Sequence, residues 1–274
     1  MECRLRDTAV HYETIGQGRP ILMLHGWSVD HRYMMADFEP IFQLRHGWKR
    51  IYPDLPGHGR TRGPNWITSN EEMLQATLDF IDGVIPEQRF AVVGSSYGGY
   101  LARGVVYRKS ALMDGMLLIG PLVMPGEQSP AAQLTLVKDE QLTSDLKSDF
   151  ERNLFSVEFT VQTREALDYM RAYLLPAIEM ADMKFLRERT KGKFSFHREG
   201  HTERLEKPVL ILCGRQDSAV GYRDAWALLE SFPRATFATL DRSAHVIPID
   251  QKELFGALVN EWLDRLEEAS GFPT

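Results

Sequence analysis

Residues 90–100 read Phe-Ala-Val-Val-Gly-Ser-Ser-Tyr-Gly-Gly-Tyr. Four apolar residues run straight into Gly94-Ser95-Ser96-Tyr97-Gly98, and a helix-like run from Tyr100 to Arg108 follows. A buried strand that becomes a helix with almost no loop forces its central residue into a strained backbone conformation, and small neighbours give it room. That residue is Ser96. Its hydroxyl would project from the end of a sheet at a helix N-terminus, where the dipole favours developing negative charge. A bare G-x-S-x-G pattern is weak by itself, arising by chance in about one chain in twelve at ordinary composition. The rest of the chain therefore has to support it.

Three further apolar runs behave like strands covered on both faces, and two other segments read as strands. The runs are Ile21–Leu24, Gly115–Gly120 and Pro208–Gly214; the other strands are Arg50–Asp54 and, last, Ala235–Leu240. Residues 3–15, broken near Arg6-Asp7, suggest a hairpin. Between the strands lie helical patterns at Tyr33–Leu44, Ser69–Ile85, Tyr222–Ser231 and Lys252–Leu266. Ser69 is placed to cap its helix, with Glu71 and Glu72 in the first turn. Strands alternating with helices predict an α/β fold with a mostly parallel sheet flanked by helices.

One interval breaks this rhythm. Residues 125–203 show no buried-sheet strand and read as helices over Ala131–Asp139, Thr143–Phe155, Thr163–Ala172 and Pro176–Arg189. We expect a core in two parts, 1–124 and 204–274, with 125–203 inserted as a helical cap over the carboxyl edge of the sheet. Within the cap, Met170, Tyr173, Met180, Met183 and Phe185 are read as helix core, and His197 and His201 as surface residues.

Charge and cysteine usage narrow the partners. A formal net charge of −6 without any basic run argues against nucleic acid or an anionic membrane surface. No apolar run approaches membrane-spanning length, and the N-terminus lacks a secretory h-region. The two cysteines, Cys3 and Cys213, form neither a disulfide framework nor a metal motif. The expectation is a cytoplasmic protein without cofactor or metal that binds a small-molecule substrate, with a homodimer left open.

Three strand ends carry polar candidates: Ser96, Asp217 in Gly214-Arg215-Gln216-Asp217, and His245 after the last strand. In a parallel sheet all three fall at the same edge, where function sits. A serine hydroxyl needs an imidazole to take its proton, and the imidazole needs a carboxylate to fix its tautomer. Asp241 lies near His245 in sequence but ends a strand and suits a loop cap better.

With these residues in hand, the chain resembles an α/β-hydrolase-fold protein over essentially its whole length. The matching pieces are His25-Gly26, Asp54-Leu55-Pro56-Gly57-His58-Gly59, the turn at Ser96, Gly214-Arg215-x-Asp217 and His245, in the order Ser…Asp…His. The resemblance implies Ser96 as nucleophile, His245 as general base and acid, and Asp217 as orienting acid. It also implies an oxyanion hole from the backbone N–H groups of Trp27 and Tyr97. The family's other acid position, after the strand ending near Gly120, holds Gly120-Pro121-Leu122 and no carboxylate. His25 and His58 fall in turn motifs and read as structural, and Ser95 as a packing residue.

The activity implied is a cofactor-independent serine hydrolase for a small ester, lactone or related carbonyl compound. Carbon–carbon bond hydrolases and perhydrolases of the same fold remain alternatives, as does a small-ligand receptor with little turnover.

Overall fold

The computed structural model describes residues 1–123, 133–190 and 204–269. The chain opens with strands β1 (Glu2–Leu5) and β2 (Thr8–Ile15), paired antiparallel around Arg6-Asp7. Next come β3 (Arg19–Leu24), α1 (His31–Phe42), β4 (Trp48–Pro53) and α2 (Asn70–Val84). Strand β5 (Phe90–Ser95) feeds α3 (Tyr97–Lys109), and β6 (Met113–Ile119) follows. The eight-stranded sheet runs β1-β2-β4-β3-β5-β6-β9-β10, with β9 at Val209–Gly214 and β10 at Ala235–Leu240. Every pair from β4 to β10 is parallel; only β2 runs against its neighbours.

Alternation along the central strands builds two cores. Leu22, Val92, Leu118 and Ile211 face α2 and α3, while Ile21, Val93, Leu117 and Leu210 face α1 and the C-terminal helix. This is the period of two expected of a sheet covered on both sides. Ser69 caps α2 by accepting from the Glu72 N–H at 3.3 Å, and α1, capped by Asp30, begins two residues before the predicted start. Cys213 is buried in β9.

The insertion between β6 and β9 is helical but divided differently from the sequence expectation. Residues 133–136 are not helical, and β7 (Val137–Lys138) pairs in parallel with β8 (Val161–Gln162). Here the N–H groups of Leu136 and Val137 are taken by the Thr160 carbonyl, a partner remote in sequence. The helix expected at 143–155 is a short 3-10 turn at Glu140–Ser144 followed by α4 (Asp149–Glu158), which Ser148 caps. Helix α5 (Arg164–Tyr169) passes through a π turn at Met170–Leu174 into α6 (Leu175–Met180).

The expected helix 176–189 stops at Ala181, because Asp182 donates its N–H to Gly57 O at 2.9 Å and caps the short α7 (Met183–Phe185). Met180, expected inside, is exposed. His197, His201 and the start of the expected helix at 131 lie outside the described residues. Beyond β9, α8 (Arg223–Ala227) ends in a 3-10 turn, and α9 (Ile247–Asp250) and α10 (Lys252–Ala269) close the chain. No helix among the described residues is long and apolar enough to cross a membrane.

Candidate active site

From Phe90 to Val106 every residue is buried except Ser96. Its backbone sits at φ 51°, ψ −113°, a conformation costly for a side-chain-bearing residue. Surrounding bonds hold it there. Ser96 N–H donates to Ile119 O at 2.9 Å, and Ser96 O accepts from Gly99 and Leu122 N–H, each at 3.0 Å. The turn closes only over glycine: a Cβ on Gly98 would run into the Leu24 carbonyl, and one on Gly94 into the Gly98 carbonyl. The strain thus presents one hydroxyl at the carboxyl edge of the sheet, at the start of α3. Ser95 is buried beneath the turn.

Asp217 and His245, remote in sequence, meet at the same edge. His245 Nδ1 lies 2.7 Å from Asp217 Oδ2. The other Asp217 oxygen accepts from the N–H groups of Ala219 (2.8 Å) and Val220 (3.0 Å), which fixes the carboxylate. Because a carboxylate only accepts, Nδ1 carries the proton, and Nε2 of the neutral ring is left as a base. Burial works against both charges but loses to the pairing. Asp217 is held below its usual 3.8, and His245 is pushed up to about 9 by Asp217 and, secondarily, by Glu158. Gly120 borders the pair in a left-handed conformation, φ 46°, that a side-chain-bearing residue rarely adopts. Asp241 is exposed, and its carbonyl rather than its carboxylate takes a bond, from Gln216 Nε2.

Two acidic residues that sequence reasoning passed over belong to this site. Asp250 joins the His245 loop to the insertion, accepting from Ala244 (2.7 Å), Thr160 (3.1 Å) and Val161 (3.0 Å) N–H groups. Glu158 ends α4, and its carbonyl accepts from Val246 N–H at 3.2 Å. Its carboxyl stands within electrostatic reach of His245 and Asp217 without a hydrogen-bond partner among the described residues. Burial, with the Asp217 and Asp250 charges, raises its pKa. No local pattern marks either residue; the docking of the insertion brings Glu158 within electrostatic reach of the imidazole and sets Thr160 and Val161 against Asp250.

Trp27 and Tyr97 occupy the turns after β3 and β5. Among the described residues, neither backbone N–H has an acceptor. The β3 turn is rigid: Ser28 sits at φ 65°, and His25 accepts from Leu55 N–H at 3.0 Å through Nε2 while its Nδ1 bonds Gly26 O at 2.7 Å. Burial lowers the pKa of His25, and that of His58 to about 3, so both rings are neutral spacers in the turn structure. Asp54 accepts from His31 N–H (2.9 Å), His31 Nδ1 (2.7 Å) and Arg60 N–H (2.9 Å).

A family model described as the alpha/beta hydrolase family matches residues 21–257. A pimeloyl-[acyl-carrier protein] methyl ester esterase of Legionella pneumophila is 22% identical, covering 93% of this chain and 99% of its own. A 2-hydroxy-6-oxo-6-(2'-aminophenyl)hexa-2,4-dienoic acid hydrolase of Metapseudomonas resinovorans is also 22% identical, over 93% of this chain and 87% of its own. The crystal structure of an alpha/beta superfamily hydrolase from Oenococcus oeni superposes with a TM-score of 0.84 at 24% identity. It covers 97% of this chain and 99% of the other.

Proposed function

The chain belongs to the alpha/beta hydrolase family, and from that premise we propose that it is a serine hydrolase acting on a small uncharged ester, lactone or related carbonyl compound. The observation that carries this reading is the coincidence, at one sheet edge, of the strained Ser96 with the 2.7 Å His245–Asp217 pair.

In this reading Ser96 Oγ attacks the carbonyl carbon while Nε2 of His245 takes its proton. The resulting oxyanion is stabilised by the N–H groups of Trp27 and Tyr97, the positively polarised end of α3 adding to the field. Collapse expels the leaving group, which receives the proton from the imidazolium. Water then repeats the sequence on the acyl-enzyme: it loses a proton to His245, adds to the carbonyl, and releases the acid with Ser96 restored. Asp217 holds the imidazole in the required tautomer and stabilises its cation.

Glu158 bears on the substrate. Its carboxyl next to His245 disfavours an acyl group carrying its own carboxylate close to the scissile carbonyl, by like-charge repulsion in a desolvated site. That supports a neutral ester or lactone over a dienoic acid of the carbon–carbon hydrolase kind.

The test is intact-mass labelling with a fluorophosphonate on wild type and Ser96→Ala, followed by turnover of neutral esters of graded acyl length. One adduct, lost in Ser96→Ala together with about 10⁶ in kcat, is the expected result. A well-folded protein that takes no adduct would overturn the reading. An adduct without measurable turnover would favour a ligand receptor.

A further inference from the structure

We propose that His11, Glu13 and His31 bind one divalent transition-metal ion of the Zn²⁺ type at the junction of β2 and α1. The inference is independent of the acyl-transfer reading. Residues two apart on a strand project to the same face, so β2 offers His11 and Glu13 together, and α1 opens against them with His31. One ligand-capable atom from each of the three lies within 4.8 Å of the other two. His11 Nε2 is 3.3 Å from Glu13 Oε1. That equals the ligand–ligand edge, about 3.3 Å, of a tetrahedron with metal–ligand bonds of about 2.0–2.1 Å.

His31 is already oriented for the role. Its Nδ1 donates to Asp54 Oδ1 at 2.7 Å, so the lone pair of the neutral ring is on Nε2. Asp54 is itself anchored by the N–H groups of His31 and Arg60. A buried carboxylate behind a ligand imidazole is the outer-shell arrangement that orients such ligands and raises their basicity. The two rings stand 5.2 Å apart and tilted by 57°. Both histidines are buried while Glu13 is half-buried, leaving one partly solvent-facing side for entry.

Two cations bear on the pocket: Arg60, whose Nη1 is 3.5 Å from His11 Nε2, and the Met1 ammonium, which donates to Tyr12 O at 2.8 Å. Arg60 is exposed, so its guanidinium can swing into solvent when an ion arrives. The neighbouring grouping Asp30–His31–Asp54 is not available in the same way. Arg32 closes on both Asp30 oxygens, and Asp54 is occupied by three donors.

Two imidazoles and one carboxylate select Zn²⁺, Ni²⁺ or Cu²⁺ over Mg²⁺ and Ca²⁺, and leave a fourth position for water. A bound ion would clamp the N-terminal hairpin to α1 and, through Asp54, to the loop ending at Arg60. Because it would bind only the folded chain, it would raise stability by mass action.

The experiment uses the tag-free full chain, stripped with chelator and dialysed, as wild type, His11→Ala and Glu13→Gln. Zn²⁺ binding is followed by isothermal titration calorimetry and by the shift in Tm, and Co²⁺ by its visible absorption. The expected result is one saturable Zn²⁺ per chain, a higher Tm, and the intense visible bands of tetrahedral Co²⁺. Mg²⁺ should give none of these. Each variant should bind at least about tenfold more weakly. Glu13→Gln is isosteric at a half-buried side chain and keeps the readout interpretable if His11→Ala lowers the metal-free Tm. Absence of saturable binding by wild type, or wild-type affinity retained by either variant, would overturn the proposal.

Discussion

Replacing Asp217 by asparagine changes one atom and removes one charge. In the folded protein burial alone would lower the pKa of His245, yet it stands at about 9 against an ordinary 6.5, with Asp217 the leading cause. The displacement is equivalent to about 3 kcal/mol of preference for the imidazolium. The free enzyme should therefore show an ascending limb of kcat/KM well above the ordinary histidine value, since the ring must be neutral to accept the Ser96 proton.

In Asp217→Asn, burial acts with only Glu158 opposing it, and the limb should fall toward or below 6.5. The rate should move the other way. An amide against Nδ1 can donate, which favours the tautomer protonated on Nε2, and about 10⁴ in kcat should be lost. Stability follows with a worked sign. The raised His245 contributes fully below 6.5 and loses its contribution as pH rises through about 9; the depressed Asp217 contributes above 3.8 and loses it as pH falls through its folded value. The variant should thus lose most Tm between 3.8 and 6.5, and least above about 9. Initial rates on a chromogenic ester and thermal melts across that range measure all three. An unmoved limb with a rate within tenfold of wild type would refute the reasoning, and if Asp241→Asn took the loss instead, the orienting acid would be Asp241.

Glu158→Gln should lower the same limb by less than Asp217→Asn does, keep kcat within about tenfold, and raise kcat/KM for an anionic acyl ester relative to its neutral isostere. Unchanged charge discrimination would remove Glu158 from substrate selection. Asp37 is buried and pushed up to about 8, although Tyr169 donates to it at 2.7 Å. Its raised value makes stability fall as pH rises from 3.8 to about 8. Asp37→Asn should flatten that slope and raise Tm above pH 8 by a few degrees, read by differential scanning fluorimetry; a parallel slope would count against it. Gly98→Ala drives a Cβ into the Leu24 carbonyl and should cost several kcal/mol or abolish folding, so a variant melting like wild type would contradict the turn geometry.

The sheet was legible in the sequence because a strand covered on both faces must be apolar at every position, and Ile21–Leu24, Phe90–Val93, Met116–Ile119 and Val209–Leu212 are. The turn at Ser96 was legible for a related reason: only glycine fits where carbonyls close on Gly94 and Gly98, so the constraint is written in residue type. Asp217 and His245 could be placed at one edge because parallel topology sends every strand end the same way.

What the tertiary structure decided lies where bonds join residues remote in sequence. The insertion breaks its helices at contacts such as Asp182 with Gly57 and Leu136 with Thr160, which no local pattern anticipates. Glu158 reaches His245 only because its helix end docks on Val246, and Asp250 becomes a clasp only once Thr160 and Ala244 are both beside it. His11 and Glu13 share a face by strand geometry alone, but His31 joins them only through the packing of α1 on β3 and β4 and the grip of Asp54. Periodicity and glycine spacing report what a segment needs from its own backbone; they carry no record of which distant carboxyl or imidazole the finished fold will set against it.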